Sequence, residues 1–321
     1  MNYLVTGGAG FIGSHLVDLL LADGHKVSVI DNFSTGSIEN LRSHISNPNL
    51  TITEGDILDA DLVEKSVNQS ERVFHFAAAV GVMNIMANPL SSLETNIRGS
   101  ENVLNACANS NVPVLIASSS EIYGKNASDA LNENSDRIIG PPQMIRWSYS
   151  DAKAIDESLA ISLHQKKGLE TRIVRLFNTV GPRQVGHYGM VVPRFVQAAL
   201  RHEPLMVFGN GTQTRCFGHV SDITSAIMLL DKTKEAVGMP VNVGVNKEIS
   251  IKNLAELVIE MTSSNSSIQY LAYSDAYPAG YEDMQRRVPD NRLLIQLTGW
   301  KPKNSIKDII LDLVAYFSAN R

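Results

Sequence analysis

From residue 3 to about residue 180, short apolar runs alternate with stretches whose apolar residues recur every three or four positions. Runs at 3–6, 26–30, 50–53, 73–76, 113–118 and 171–176 read as buried strands. Helical periodicity falls near 11–23, 59–67, 92–110 and 148–167. Strand and helix in regular alternation predict a doubly wound parallel sheet covered on both faces. Beyond 180 the rhythm loosens. Short strands at 205–208, 240–243 and 268–271 mix with helices near 193–201, 220–232, 251–262 and 304–318. The reading is an α/β protein with a first domain over 1–180 and a smaller mixed α/β lobe over 181–321, partly interleaved with it. The stretch 124–146 holds Gly124, Gly140, Pro141 and Pro142 among polar residues and reads as an ordered loop beside a site.

The first strand-to-helix turn adds chemistry to this outline. It runs Gly7-Gly8-Ala9-Gly10-Phe11-Ile12-Gly13. Gly7 allows the turn out of the strand, Gly10 lets backbone approach a pyrophosphate, and Gly13 lets the helix pack close to the sheet. A phosphate there faces unpaired N–H groups and the positive end of the helix dipole. The second strand ends at Asp31. An acid at that point binds both hydroxyls of an adenosine ribose and repels a 2′-phosphate, which favours NAD over NADP.

Bulk properties narrow the class. The formal net charge of −5 with no long basic run argues against nucleic acid as a partner. No apolar run approaches membrane-spanning length, and the apolar residues at the start belong to the first strand. Cys107 and Cys216 lie far apart and form no metal-like pair; such sparse cysteine use fits a reducing cytoplasm.

Tyr149-Ser-Asp-Ala-Lys153 opens the helix predicted over 148–167. Residues four apart share a helix face, so phenol and ammonium point into one space. A tyrosine of pKa about 10 is a poor base at neutral pH. A nearby lysine, with a positive nicotinamide ring, favours the phenolate. Such a tyrosine can take a hydroxyl proton while hydride leaves the same carbon.

With both motifs in place, the chain resembles the extended short-chain dehydrogenase/reductase family that modifies nucleotide sugars, whose Rossmann sheet matches the predicted one. The likeness covers nearly the whole chain. It implies NAD contacts from Gly7, Gly10, Phe11, Ile12, Gly13, Asp31, Asn32, Asp56, Ile57, Ala77, Ala78, Asn96 and Lys153. It also implies a catalytic set of Ser119, Tyr149 and Lys153. Asn178, Val192, Val207, Phe208, Arg215, Arg287 and Asp290 match positions toward a UDP-sugar, with Arg215 and Arg287 on its diphosphate. The family pairs its helices near 92–110 and 148–167 with their copies, which implies a homodimer.

Glu121 bears on which reaction is run. Two residues apart in an extended segment share a side, so Ser119 and Glu121 could both face the site. Simple 4-epimerases of the family usually lack this acid, whereas its decarboxylases and 4,6-dehydratases carry one. Arg146-Trp147-Ser148-Tyr149 and the segment Gly280–Asp290 resemble UDP-glucuronate decarboxylases and UDP-apiose/UDP-xylose synthases. That likeness places Arg287 near a sugar carboxylate, with Glu121 orienting the carboxylate or helping to reprotonate C5. Ser119 stands where decarboxylases usually carry threonine, and a Ser-Ser-Ser run also suits epimerases. Three reactions therefore remain open: decarboxylation of UDP-glucuronate, 4-epimerisation and 4,6-dehydration. The reading from another class is a non-catalytic NAD-binding sensor, against which Ser119, Tyr149 and Lys153 stand together.

Overall fold

A computed structural model describes residues 1–186, 190–276, 282 and 284–319. Seven parallel strands form the central sheet: β1 (Asn2–Thr6), β2 (Lys26–Asp31), β3 (Leu50–Glu54), β4 (Arg72–His75), β5 (Val114–Ser119), β6 (Thr171–Leu176) and, after four short lobe strands, β11 (Pro240–Val243). Their spatial order is β11-β6-β5-β4-β1-β2-β3. The order reverses between β1 and β4, and a crevice opens there at the carboxyl ends of the strands.

Alternation along each strand feeds two cores. Tyr3 and Val5 face α1 (Phe11–Ala22), while Leu4 faces the opposite layer. That layer holds α2 (Ala60–Asn68), α5 (Ser100–Ser110) and α6 (Ser148–Lys167). Two short helices, α3 (Val82–Ala87) and α4 (Pro89–Glu94), precede α5. The helix read over 92–110 is continuous in its backbone but carries a π-turn. A π-helical turn at Thr95–Gly99 separates α4 from α5. The turn lets Asn96 point at the backbone of Ala79, and Gly99 sits so close to Ile57 that a Cβ would lie 2.4 Å from its Cδ1.

From Val180 of β7 (Thr179–Val180) the chain builds a third core with α7 (Val191–Leu200), β8 (Leu205–Phe208) and Phe217, which lies between β9 (Thr214–Cys216) and β10 (Gly218–His219). It returns to the sheet through α8 (Val220–Lys232) and β11, whose Ile223, Ile227, Val241 and Val243 pack with α1. β12 (Glu248–Ser250), α9 (Ile251–Thr262), β13 (Ile268–Leu271) and α10 (Tyr273–Ala276) follow. α11 (Arg292–Thr298) lies against the sheet, and α12 (Ile306–Ala319) lies in the third core. The sequence pattern missed α3, α11 and the two- and three-residue strands, which are too short to show a period.

The α6–sheet contact is apolar at Ala160 and Leu163 and ionic toward the helix start. Arg175 of β6 holds Glu157 of α6 in two bonds, Nε to Oε1 at 2.9 Å and Nη2 to Oε2 at 2.7 Å. Ser118 of β5 donates to the same carboxylate, and the remaining Nη1 of Arg175 reaches the Tyr123 hydroxyl. Removing one member of a buried pair strands the other. Arg175→Met is therefore expected to cost about 3–5 kcal/mol in urea unfolding.

Candidate active site

The crevice deepens into one cavity of about 690 Å³ that runs from the glycine turn to the third core. At one end Gly7 has φ +70°, and a Cβ on Gly13 would lie 2.1 Å from the Gly7 carbonyl oxygen. Only glycine fits there. Asp31 closes β2 beside the turn, its Oδ2 accepting from Ala9 N–H at 2.9 Å and its Oδ1 from Phe33 N–H at 2.9 Å. Burial pushes its carboxyl pKa up, against those backbone donors. Asn32 donates to Asp56 at 2.8 Å, and both line the cavity with Phe11, Ile12, Ile57, Ala77 and Ala78. Asn96 stands behind this wall, where its amide grips Ala79 N–H and C=O at 2.8 and 3.0 Å and sets the loop after β4.

Ser119, Glu121, Tyr149 and Lys153 meet in the middle of the cavity. Ser119 ends β5, and the chain then turns into a 3₁₀ helix at Ser120–Tyr123 rather than continuing extended. The cause is local: the Ser119 hydroxyl accepts from Glu121 N–H at 3.2 Å and starts the turn. Glu121 still faces the cavity, but through this turn and not through strand alternation. Gly124 closes the turn at φ +60°, where a Cβ would lie 2.2 Å from Ile138 O.

Tyr149 and Lys153 come one helical turn apart at the start of α6. The Tyr149 phenol is pushed above its usual range, chiefly by burial, against the pull of Lys153; Glu121 and Asp156 push the same way as burial, and a Ser119 hydrogen bond opposes them. The sequence reading counted the lysine and left out the desolvation and the two nearby acids.

Glu121 is clamped. Arg146 Nη2 lies 2.6 Å from its Oε2, and Arg287 Nη1 lies 2.7 Å from its Oε1. Burial alone would raise this carboxyl; Arg146 first and Arg287 next overcome it and bring the pKa down to about 2. Both guanidiniums are buried and both line the cavity. Arg287 in turn is lowered by burial and by the nearby Arg215 and Arg146 charges, with Glu121 opposing. Three arginines thus converge on one end of the space. Trp147, next to Arg146, donates to Glu282 Oε2 at 3.1 Å, and Lys125 pairs with the same oxygen at 3.1 Å. That knot joins the arginine-bearing segments of residues 146 and 287. Gly280, Tyr281 and Asp283 of the segment singled out in the sequence lie outside the described residues.

Toward the third core, Asn178, Val192, Phe208 and Arg215 line the cavity, and Asn178 donates to Cys216 O at 3.0 Å. Val207 and Asp290 stand back from it. Val207 alternates inward and is buried in the third core, while Asp290 takes a bidentate grip from Arg292, outside the cavity wall. Sequence reasoning gave no role to Arg146, although its spacing of three from Tyr149 puts the two on neighbouring positions of one helical start. It also passed over Gln213 and Tyr273, which line the cavity near Phe208.

Comparison with known proteins identifies the family. The family model for GDP-mannose 4,6-dehydratase matches residues 4–313. The chain belongs to the extended short-chain dehydrogenases/reductases that modify nucleotide sugars. Within that family it is 38% identical over 316 residues to the UDP-N-acetyl-alpha-D-glucosaminuronate decarboxylase of Bacillus cytotoxicus, covering 98% of this chain and 97% of that one. It is 36% identical over 318 residues to UDP-glucuronic acid decarboxylase 1 of Danio rerio, covering 98% of this chain and 72% of the relative. The UDP-glucuronic acid 4-epimerase of Bacillus cereus, solved with UDP-glucuronic acid and NAD, matches with a TM-score of 0.89 at 26% identity over 100% of both chains.

The clamp on Glu121 has a pH signature. An unfolded glutamate titrates near pH 4.3, whereas the folded one titrates at about 2. A depressed folded pKa adds stability that is complete above the unfolded value and is lost as pH falls through the folded one. Between roughly pH 4.3 and 2 the wild type is expected to lose stability more steeply than Glu121→Gln. Urea midpoints across that window measure the difference.

Proposed function

We propose that the protein is an NAD-dependent UDP-hexuronate decarboxylase, acting on UDP-glucuronate or its 2-acetamido analogue and releasing a UDP-pentose or its 4-keto form. The observation that carries this reading is the Arg146–Glu121–Arg287 clamp beside Tyr149, which sets two buried guanidiniums where a sugar carboxylate would lie. Forked donors suit a carboxylate, and a hydroxymethyl group gives them nothing of matching charge. The decarboxylase relatives support the same reading.

The chain's own residues fit NAD: a glycine turn with no room for a Cβ on Gly13, and Asp31 at the end of β2, where a 2′-phosphate would meet a negative charge. When bound, NAD supplies the hydride acceptor at C4 and a positive ring that favours the Tyr149 phenolate. Tyr149 takes the C4 hydroxyl proton, with Lys153 holding charge beside it and Ser119 hydrogen-bonded to the phenol. A ketone at C4 makes the C5 carboxylate a β-keto acid. Carbon dioxide can then leave, because the C4 oxygen accepts the electron pair as an enolate. Ser119 and Tyr149 face that oxygen as hydrogen-bond donors. Arg146 and Arg287 hold the carboxylate before it departs. Glu121, kept ionised by the two arginines, aligns them and does not carry the proton that replaces CO₂ at C5.

The 4-epimerase reading retains one specific support, the UDP-glucuronic acid 4-epimerase neighbour, which handles the same acidic sugar. We further propose that the protein works in the cytoplasm as a homodimer through α5 and α6. The support is Ile155 of α6, which is 48% exposed next to Ala154 and Leu159. Among the described residues, no helix is long and apolar enough to cross a membrane.

Incubation with NAD⁺ and UDP-glucuronate, UDP-N-acetylglucosaminuronate, UDP-glucose or UDP-galactose, followed by mass analysis, separates the reactions. Loss of CO₂ from an acidic substrate is expected; an unchanged mass with an altered C4 configuration would give the epimerase reading instead. Tyr149→Phe is expected to abolish turnover and leave nucleotide binding intact, as read by calorimetry. Glu121→Gln is expected to slow CO₂ release at least tenfold, since misplacing a positioning group by ~1 Å costs on the order of 100-fold.

A further inference from the structure

Behind the catalytic pair lies a chain of buried polar groups that runs from Lys153 to the loop after β4. Lys153 Nζ donates to Asp156 Oδ2 at 3.1 Å, and both side chains are almost wholly buried. The same oxygen accepts from the Ser100 hydroxyl at 3.1 Å. Ser100 Oγ lies 3.0 Å from His75 Nε2, and His75 Nδ1 lies 2.7 Å from the Thr6 hydroxyl. Thr6 accepts in turn from Ala77 N–H at 3.3 Å, in the loop that lines the cavity.

Each proton on this line has one place to go. Ser100 donates to Asp156, so it accepts from His75 Nε2–H. Burial keeps the His75 ring neutral, so with Nε2 protonated its Nδ1 accepts the Thr6 hydroxyl proton. The network therefore assigns a neutral Nε2–H imidazole. Burial, followed by the Lys153 charge, holds His75 down to about 3, in keeping with that state. The line of donors runs one way, from the Ala77 amide to the Asp156 carboxylate, and ends on the ion pair with Lys153.

We propose that Asp156 is a positioning residue that keeps Lys153 as a fixed ammonium beside Tyr149, anchored through Ser100, His75 and Thr6 to the loop that lines the cavity. The proposal rests on the assignment of Tyr149 and Lys153 as the proton-moving pair. The groups facing Lys153 are Asp156, Tyr149 and Glu157 of its own helix and His75 of β4. His75 is neutral. Glu157 is committed to Arg175 and Ser118. Asp156 is thus the acid in direct contact with the lysine. Burial opposes the Lys153 charge, and Asp156, Tyr149 and Glu157 together outweigh it and keep its pKa above the ordinary lysine value. Fully buried lysines without a counter-ion titrate roughly 3–5 units low.

The test is Asp156→Asn, which keeps the size and removes the charge. Heteronuclear NMR of lysine side chains reads Lys153 without any turnover, its resonance assigned with Lys153→Met. In the variant Lys153 is expected to titrate at least about two units lower than in wild type. The alkaline limb of kcat should fall by the same amount while KM for the UDP-sugar stays put. Asp156→Glu should restore the limb at a reduced rate. If the amide disturbs folding, Asp156→Ser removes the same charge in less space. A Lys153 titration unchanged in both variants overturns the proposal, as does a rate loss equal at every pH, which is what a purely structural residue would give. Wild-type protein inert toward every UDP-sugar would instead sink the assignment of Tyr149 and Lys153, and the NMR titration would still decide the role of Asp156.

Discussion

The structure depends on the buried charges that fix the start of one helix on its sheet. α6 turns Lys153, Asp156 and Glu157 inward, where most helices of this layer present valine and leucine. Such an interface is stable only if every inward charge finds a partner, because an unpaired buried charge costs several kcal/mol, or about as much as a domain's whole margin of stability. Arg175 answers Glu157 and Asp156 answers Lys153. The pairing also fixes register. Apolar surfaces slide with little penalty, whereas a bidentate guanidinium–carboxylate contact admits one alignment. Tyr149 is therefore held relative to β5, and so to Ser119, by contacts remote from any substrate.

The second constraint acts where the sugar would lie. A carboxylate between two arginines is held in place and stays charged down to about pH 2, since protonating it would leave two guanidiniums facing each other. Glu121 is thereby converted from a group that exchanges protons into a fixed electrostatic element. The knot of Trp147, Lys125 and Glu282 then holds the segments that supply the arginines. The chemistry assigned to Glu121 follows from its partners more than from its residue type.

Much of this was legible in the sequence, for definite reasons. The six strands of the alternating half are local apolar runs, and each recurs in the structure within a residue or two. The glycine turn and the Tyr149–Lys153 spacing are also local, so their geometry follows from φ and from helical pitch. What stayed hidden is long-range. Arg287, 166 positions from Glu121, was reached only through the family resemblance, Arg146 was given no role, and the turn that aims Glu121 depends on one serine side chain choosing the backbone over the strand. The π-turn at Thr95–Gly99 stayed hidden because it lies inside one continuous helical stretch. Val207 failed to reach the cavity because a strand shows it alternate residues only, and Phe208 took the open side. His75, Ser100 and Asp156 come from three elements, and each alone reads as an ordinary polar residue.

The chain's path between its cores bears on how the protein is made. After β6 it leaves the sheet for the third core at Val180, returns at Ile223, leaves again at Ile251, returns at Leu294 and leaves a last time at Ile309. Synthesis proceeds from the N-terminus, and domains usually fold as units as they emerge. Here the edge strand β11 and Arg287 emerge long after the glycine turn, so the growing chain holds an unpaired β6 edge and a Glu121 with one arginine. During that interval β6 is open to pairing with another chain. A nascent chain of this topology has to be shielded at that edge until residue 243 is free, which makes the middle of translation, and not its end, the interval of greatest aggregation hazard.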